Sequence, residues 1–300
     1  MDEGHKAAAR RFSRRSLFAA TGLLGLAAVG AAGVNAAPEG VRRVLHSASF
    51  EETTPNQLGP VVQTERMYSA ARGREVDVVT ILPPGVPIGG LPMSLLLHGR
   101  NGNAHTAAVG GLAEVLTVAV MSRLVPPFGF IAVDGGDNYW HRQPSGDDPM
   151  AMLVDEVPGW LAARRLGGPG GKPFACTGVS MGGFGAMLYA RRTTELGRPV
   201  DAIATVSAGL MTSWADMSKR HAFVDVASWA AIDPLRTIDK LGPAPMGVWC
   251  GDRDRFIEGN RQFIAQARPE VGLITPGGHT EEYWRTVTPD VVRFLAGHVR

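Results

Sequence analysis

Gly178-Val179-Ser180-Met181-Gly182 joins an apolar, strand-like run, Phe174-Ala175-Cys176-Thr177, to a Gly-rich segment of helical character. A serine on so sharp a strand-to-helix turn needs neighbours almost free of side chains two positions to either side, and Gly178 and Gly182 meet that need. Such a turn exposes the Ser180 hydroxyl. It also aims the unpaired N–H groups of the following helix at any negative charge that develops beside it. The chemistry this suits is attack of Ser180 on a carbonyl carbon, with the backbone N–H of Met181 as one donor to the resulting oxyanion. In a chain with 38 glycines the pentapeptide also arises by chance, so alone it is moderate evidence and the other parts must raise it.

A serine needs a base, and the base needs a group that orients it. His279 stands in Pro276-Gly277-Gly278-His279, directly after a strand-like run, and is the candidate base. Gly251-Asp252-Arg253-Asp254 follows another strand and offers two carboxylates. Asp254 has the usual G-x-x-D spacing and takes the role of acid; the alternative is that both are solvated loop carboxylates, with Asp252 paired to Arg253 or Arg255. The order Ser180, Asp254, His279 is that of α/β-hydrolases and differs from the chymotrypsin and subtilisin orders. His98, His105, His141 and His221 have no such placement and could only support the site from behind. Their spacing suggests no metal site. The turn His98-Gly99-Arg100-Asn101-Gly102 supplies a second oxyanion donor, the backbone N–H of Arg100. Tyr139, Trp140, Trp214 and Trp229, with Tyr283 and Trp284, are candidates for an aromatic mouth that binds an acyl chain or a sugar face, the alternative being core filling.

These residues fall on loops that a regular alternation of strand and helix must position. Two strands flank the Arg72-Gly73 turn between Gln57 and Leu82 and form an antiparallel edge. Pro92–His98 is a short strand buried on both faces, Ala104–Leu124 a helix, Phe130–Asp134 a strand and Met150–Leu166 a helix. The Ser180 turn and its helix follow, then strands at Ala202–Val206, Met246–Cys250 and Val271–Thr275, with helices at Ile257–Ala267 and Glu281–His298. The alternation predicts an α/β class with a mostly parallel central sheet and helices on both faces. Residues 207–245 break the alternation and read as an insertion near the site.

The chain has 300 residues, 45% hydrophobic and 19% charged, which is ordinary globular composition. Residues 1–36 are of another kind: a basic start, Ser13-Arg14-Arg15-Ser16-Leu17-Phe18, then an uncharged Ala/Gly/Leu run to Pro38. This resembles a twin-arginine export signal, with Val34-Asn35-Ala36 as a cleavage site; an uncleaved anchor is the alternative. Residues 37–300 are then a single exported domain, 38–56 being a polar linker or arm, with membrane contact only through the N-terminal segment. That segment carries +3 of a chain whose net charge is +2, leaving −1 for the remainder, so no nucleic-acid footprint remains. The only cysteines, Cys176 and Cys250, lie in strands expected to have one strand between them, about 9.6 Å apart and beyond disulfide reach.

The motifs LLLHGRNG, VDGGDNYW, GVSMGGFGAML, GDRD and GGHTEEYW together resemble the serine esterases of the esterase D type, which include the secreted mycolyltransferases. The resemblance runs from about Gln63 to the C-terminus. It implies an α/β-hydrolase fold, a triad of Ser180, Asp254 and His279, backbone donors at Met181 and Arg100, and no cofactor. Several mycolyltransferases have a glutamate as the acid and a tryptophan two residues after the histidine, where this chain has Asp254 and Glu281. An exported carboxylic-ester hydrolase acting on a small or lipid ester is therefore the expectation. The alternatives are an acyltransferase serving cell-envelope sugars or lipids and a non-catalytic envelope binding protein.

Overall fold

A computed structural model describes residues 59–300; the twin-arginine-type segment at 1–36 and the linker at 38–56 lie outside the described residues. Eight strands form one sheet: β1 (Val61–Ser69), β2 (Arg74–Leu82), β3 (Met93–Leu97), β4 (Gly129–Val133), β5 (Ala175–Val179), β6 (Ala202–Val206), β7 (Met246–Gly251) and β8 (Val271–Thr275). Their order is β1-β2-β4-β3-β5-β6-β7-β8. β1 and β2 are antiparallel, as are β2 and β4, and every pair from β4 to β8 is parallel. The chain steps from β3 to β4 on one side and then crosses to β5 on the other. The carboxyl ends of β3 and β5 therefore border the crevice where strand order reverses, the usual ligand position in such sheets.

Helices cover both faces because the central strands are apolar on both. Along β3, Met93, Leu95 and Leu97 enter one core layer and Leu96 the other, as the period-two alternation of a strand requires. The first layer is closed by α2 (Val157–Ala163) and α3 (Met181–Glu195) through Leu161, Phe184 and Met187. The second is closed by α1 (Leu112–Met121) and, at the chain's end, by the helix Glu281–Gly297 through Leu116, Val291 and Leu295. A π-helical turn, Met152–Glu156, precedes α2. Pro158 has no N–H for the Val154 carbonyl, which accepts from Arg198 Nη2 instead at 3.3 Å.

Between β6 and β7, residues 207–245 carry two short helices, α4 (Trp214–Met217) and α5 (Val226–Ala230). α6 (Ile257–Ala267) and α7 (Glu281–Gly297) complete the order. The helix expected over Ala104–Leu124 is shorter: a 3-10 turn at Ala104–Thr106 is separated from α1 by Gly110 and Gly111, both left-handed at φ 65° and 67°. Two adjacent left-handed residues cannot continue a right-handed helix. Cys176 and Cys250, on β5 and β7 with β6 between, are buried free thiols. Among the described residues no helix is long and apolar enough to cross a membrane.

Candidate active site

Ser180 sits between β5 and α3 with φ 55° and ψ −120°, a left-handed turn costly for any side chain. The turn is possible only because its flanks lack Cβ atoms. A Cβ on Gly178 would overlap the Gly182 backbone, and one on Gly182 would overlap the Leu97 and His98 carbonyls. The turn is tied down by Ser180 N–H donating to Val206 O at 3.0 Å and by Ser180 O accepting from Gly209 N–H at 2.7 Å.

His279, between β8 and α7, reaches this serine. Its Nε2 lies 3.0 Å from Ser180 Oγ, and its Nδ1 lies 2.9 and 3.1 Å from the two carboxylate oxygens of Asp254. The imidazole is also held by two aromatic edges, Phe256 at 5.1 Å and Trp284 at 5.3 Å between ring centroids. Asp254 is 2% exposed. Burial works to raise its carboxyl pKa, but hydrogen bonds from His279, from Phe256 N–H at 2.8 Å and from the Ser207 hydroxyl outweigh it, so the carboxyl lies below its ordinary value. Asp252 braces the backbone instead, its Oδ1 accepting from Gly277 N–H at 2.9 Å and stitching the loops after β7 and β8 together.

The loop after β3 faces Ser180 from the other side. His98 Nδ1–H donates to Gly99 O at 2.8 Å, and its Nε2 accepts from Gly135 N–H at 3.0 Å. Burial lowers the His98 pKa, which keeps the imidazole in the neutral form that this pair of bonds needs. Asp137 accepts from Asn101 N–H at 2.6 Å and Asp134 from Ala104 N–H at 2.7 Å. The DGGD loop thus fixes the segment from His98 to Ala104 by three bonds. The backbone N–H groups of Arg100 and Met181 donate to no acceptor among the described residues.

A cavity of about 470 Å³ opens over these groups, lined by Ser180, His279, Gly99, Arg100, Tyr139 and Trp284 among others. Of the six aromatic candidates Tyr139 and Trp284 line it, and Tyr283 is buried away from it. Trp140 is fully buried, its ring 4.9 Å from that of His98 and pressed on Gly185. Tyr139 and Trp140 are both left-handed, φ 56° and 62°, and both are buried, Tyr139 at the cavity wall with its ring edge-on to Phe184 at 5.2 Å. Trp229 is fully buried beneath the Arg236 guanidinium, and Trp214 packs on it at 6.0 Å. They are core of the 207–245 segment and no part of the mouth.

Sequence reasoning missed Ser207, Phe256, Arg220 and Arg255. Ser207, after β6 at φ 51°, accepts from Trp284 Nε1 at 3.1 Å and supports Asp254. Its position at a carboxyl strand end was the available signal. His105 pairs with Asp77 at 3.0 Å, and His141 stacks on Phe223 at 4.3 Å. Neither joins Ser180.

The Esterase family model matches residues 69–295. No curated protein matches the chain. Among solved structures, a ferulic acid esterase is similar with TM-score 0.67 and 19% identity over 80% of this chain and 100% of that one. An S-formylglutathione hydrolase from Agrobacterium tumefaciens gives 0.64 and 14% over 81% and 97%. MPT51 of Mycobacterium tuberculosis gives 0.60 and 18% over 80% and 99%. With the mostly parallel eight-stranded sheet, these likenesses show an α/β-hydrolase fold.

Proposed function

Since the chain belongs to the Esterase family, we propose that it is an exported serine carboxylic-ester hydrolase with Ser180 as nucleophile, His279 as base and Asp254 as orienting acid. The observation that carries this reading is the hydrogen-bonded series Ser180 Oγ, His279, Asp254 at the floor of an open cavity. In the first half-reaction His279 Nε2 takes the Ser180 proton while Oγ bonds the ester carbonyl carbon. The N–H groups of Met181 and Arg100, which have no acceptor among the described residues, hold the oxyanion. The C–O bond to the alcohol then breaks, and the alcohol leaves with the proton from His279. Water repeats the sequence on the acyl-enzyme and releases the acid.

Hydrolysis is favoured over transfer to an acceptor because no tryptophan stands two residues after His279. Glu281, at the position of the mycolyltransferase tryptophan, is occupied in accepting from Gly110 N–H at 2.7 Å. Labelling with a fluorophosphonate probe tests the nucleophile: Ser180 is expected to be modified in native protein, and an unlabelled native protein refutes the reading in favour of a binding role. Free acid measured against transferred acyl, with millimolar sugar or lipid alcohol present, separates hydrolase from acyltransferase. Export through the twin-arginine route predicts that the double variant Arg14→Lys and Arg15→Lys stays in the cytoplasm; normal export of it refutes that route.

A further inference from the structure

Three guanidinium groups and no carboxylate line the cavity above Ser180. Arg100 leaves β3, Arg220 ends the 3-10 turn Ser218–Arg220 of the 207–245 segment, and Arg255 follows Asp254. They come from three separate stretches of chain, so no local sequence need accounts for their convergence. Two nearby acids are engaged elsewhere: Asp216 pairs with Lys219 at 2.8 Å and Asp252 with Arg253 at 3.4 Å. Arg100, Arg220 and Arg255 form no ion pair among the described residues. Arg220 Nε is buried with no hydrogen-bond partner, and Arg255 lies 5.1 Å from the Phe256 ring centroid. All three act on one point: burial raises the Tyr139 phenol pKa, and Arg220, Arg100 and Arg255 each pull it back.

Like charges gathered in a partly desolvated cleft repel one another, and a buried guanidinium donor without an acceptor carries a desolvation cost. An arriving anion relieves the repulsion. Guanidinium forks match carboxylate and phosphate oxygens in geometry as well as charge. A second cavity of about 370 Å³ shares Arg220, Arg255 and Phe256 with the first, and contains Asp216 and Glu258. The shared arginines border both cavities, so an anion held there lies along the path from Ser180.

We infer, resting on the esterase reading above, that the preferred substrates are esters bearing a fixed anionic group, a carboxylate or a phosphate, which Arg220 and Arg255 bind with Arg100 at the rim. Covalent chemistry stays as described for Ser180; the arginines position the ester and raise its local concentration.

The test compares kcat/KM for two matched pairs: monoethyl adipate against ethyl hexanoate, and 3-acetoxypropyl phosphate against propyl acetate, with products measured by mass spectrometry at low ionic strength. At least one anionic ester is expected to exceed its neutral partner by about 10- to 100-fold, the range of one charge-assisted hydrogen bond. Which pair shows it identifies carboxylate or phosphate. The preference should shrink in 0.5 M salt, about as expected of exposed charges, and fall at least about tenfold in the double variant Arg220→Gln and Arg255→Gln, with part restored by lysine at both positions. Arg255 is exposed, so Arg255→Gln alone serves if replacement of the half-buried Arg220 prevents folding. An enzyme that labels with fluorophosphonate but cleaves neutral esters as fast as anionic ones overturns this inference alone. So does a double variant whose preference equals that of the parent. A protein inert to all four esters and to the probe refutes the esterase reading, and this inference with it.

Discussion

Replacing Asp254 with asparagine keeps shape and volume but reverses one hydrogen bond. Asp254 Oδ1 accepts from Phe256 N–H at 2.8 Å, and Oδ2 faces His279 Nδ1 at 2.9 Å. An asparagine keeps its carbonyl oxygen for Phe256 N–H, which places its NH₂ against His279 Nδ1. That nitrogen must then accept, so the imidazole proton moves to Nε2 and points at Ser180 Oγ. A base that is already protonated on the serine side cannot take the serine proton. Losses of about 10⁴ in turnover accompany this tautomer error in a triad, equivalent to about 5.5 kcal/mol of barrier. Asp252→Asn is the internal control. Its carboxylate is 39% exposed and accepts from Gly277 N–H, a bond that an asparagine carbonyl can keep, so a loss below about threefold is expected (~0.6 kcal/mol). The assay is kcat on a neutral short-chain ester at pH 7.5, with thermal melts to show that both variants fold. Activity of Asp254→Asn within tenfold of the parent, or a larger loss in Asp252→Asn, refutes the assignment of the acid.

Gly182→Ala forces a Cβ into the Leu97 carbonyl; it should cost about 1–3 kcal/mol and lower the melting temperature, whereas Gly159→Ala, in α2 with nothing within 4 Å, should be neutral or stabilising. Equal melting temperatures in the two variants would contradict the steric account of the Ser180 turn. Ser207→Ala leaves Trp284 Nε1 without its acceptor and Asp254 without one donor; kcat should fall about tenfold with less change in KM, and a parental kcat would remove Ser207 from the network. His98 has a folded pKa below its unfolded value of about 6.5. Its contribution to stability is complete above that value and is lost as pH falls through about 6.5 toward the folded pKa, because the unfolded chain binds the proton first. Urea midpoints from pH 7.5 to 5 should therefore decline more steeply in the parent than in His98→Gln, and parallel declines would exclude His98 as a source.

The Ser180 turn was legible because its requirement is local: whatever surrounds it, a strained serine between a strand and a helix needs Gly178 and Gly182. The order Ser180, Asp254, His279 was legible because each follows a strand, and parallel strands bring their carboxyl ends to one edge. The start of α1 was misplaced by eight residues, since an Ala-rich segment satisfies helical periodicity while only the Gly110 and Gly111 dihedrals stop it. Composition alone does not tell a turn residue from a helix residue there.

Sequence by itself determined the fold class and the residues able to do the chemistry, because strand period, turn sterics and chain order are properties of neighbours along the chain. Tertiary structure decided which side chains face the serine. Tyr139 and Trp140 are adjacent and alike in type, yet one lines the cavity and the other lies beneath His98. Asp252 and Asp254 are two residues apart, yet one braces a loop and the other meets His279. Arg220 and Arg255, 35 positions apart in numbering, share a cavity wall. The physical reason is the same in each case: a loop's side chains are aimed by dihedrals and cross-loop hydrogen bonds that close only when distant strand ends come together.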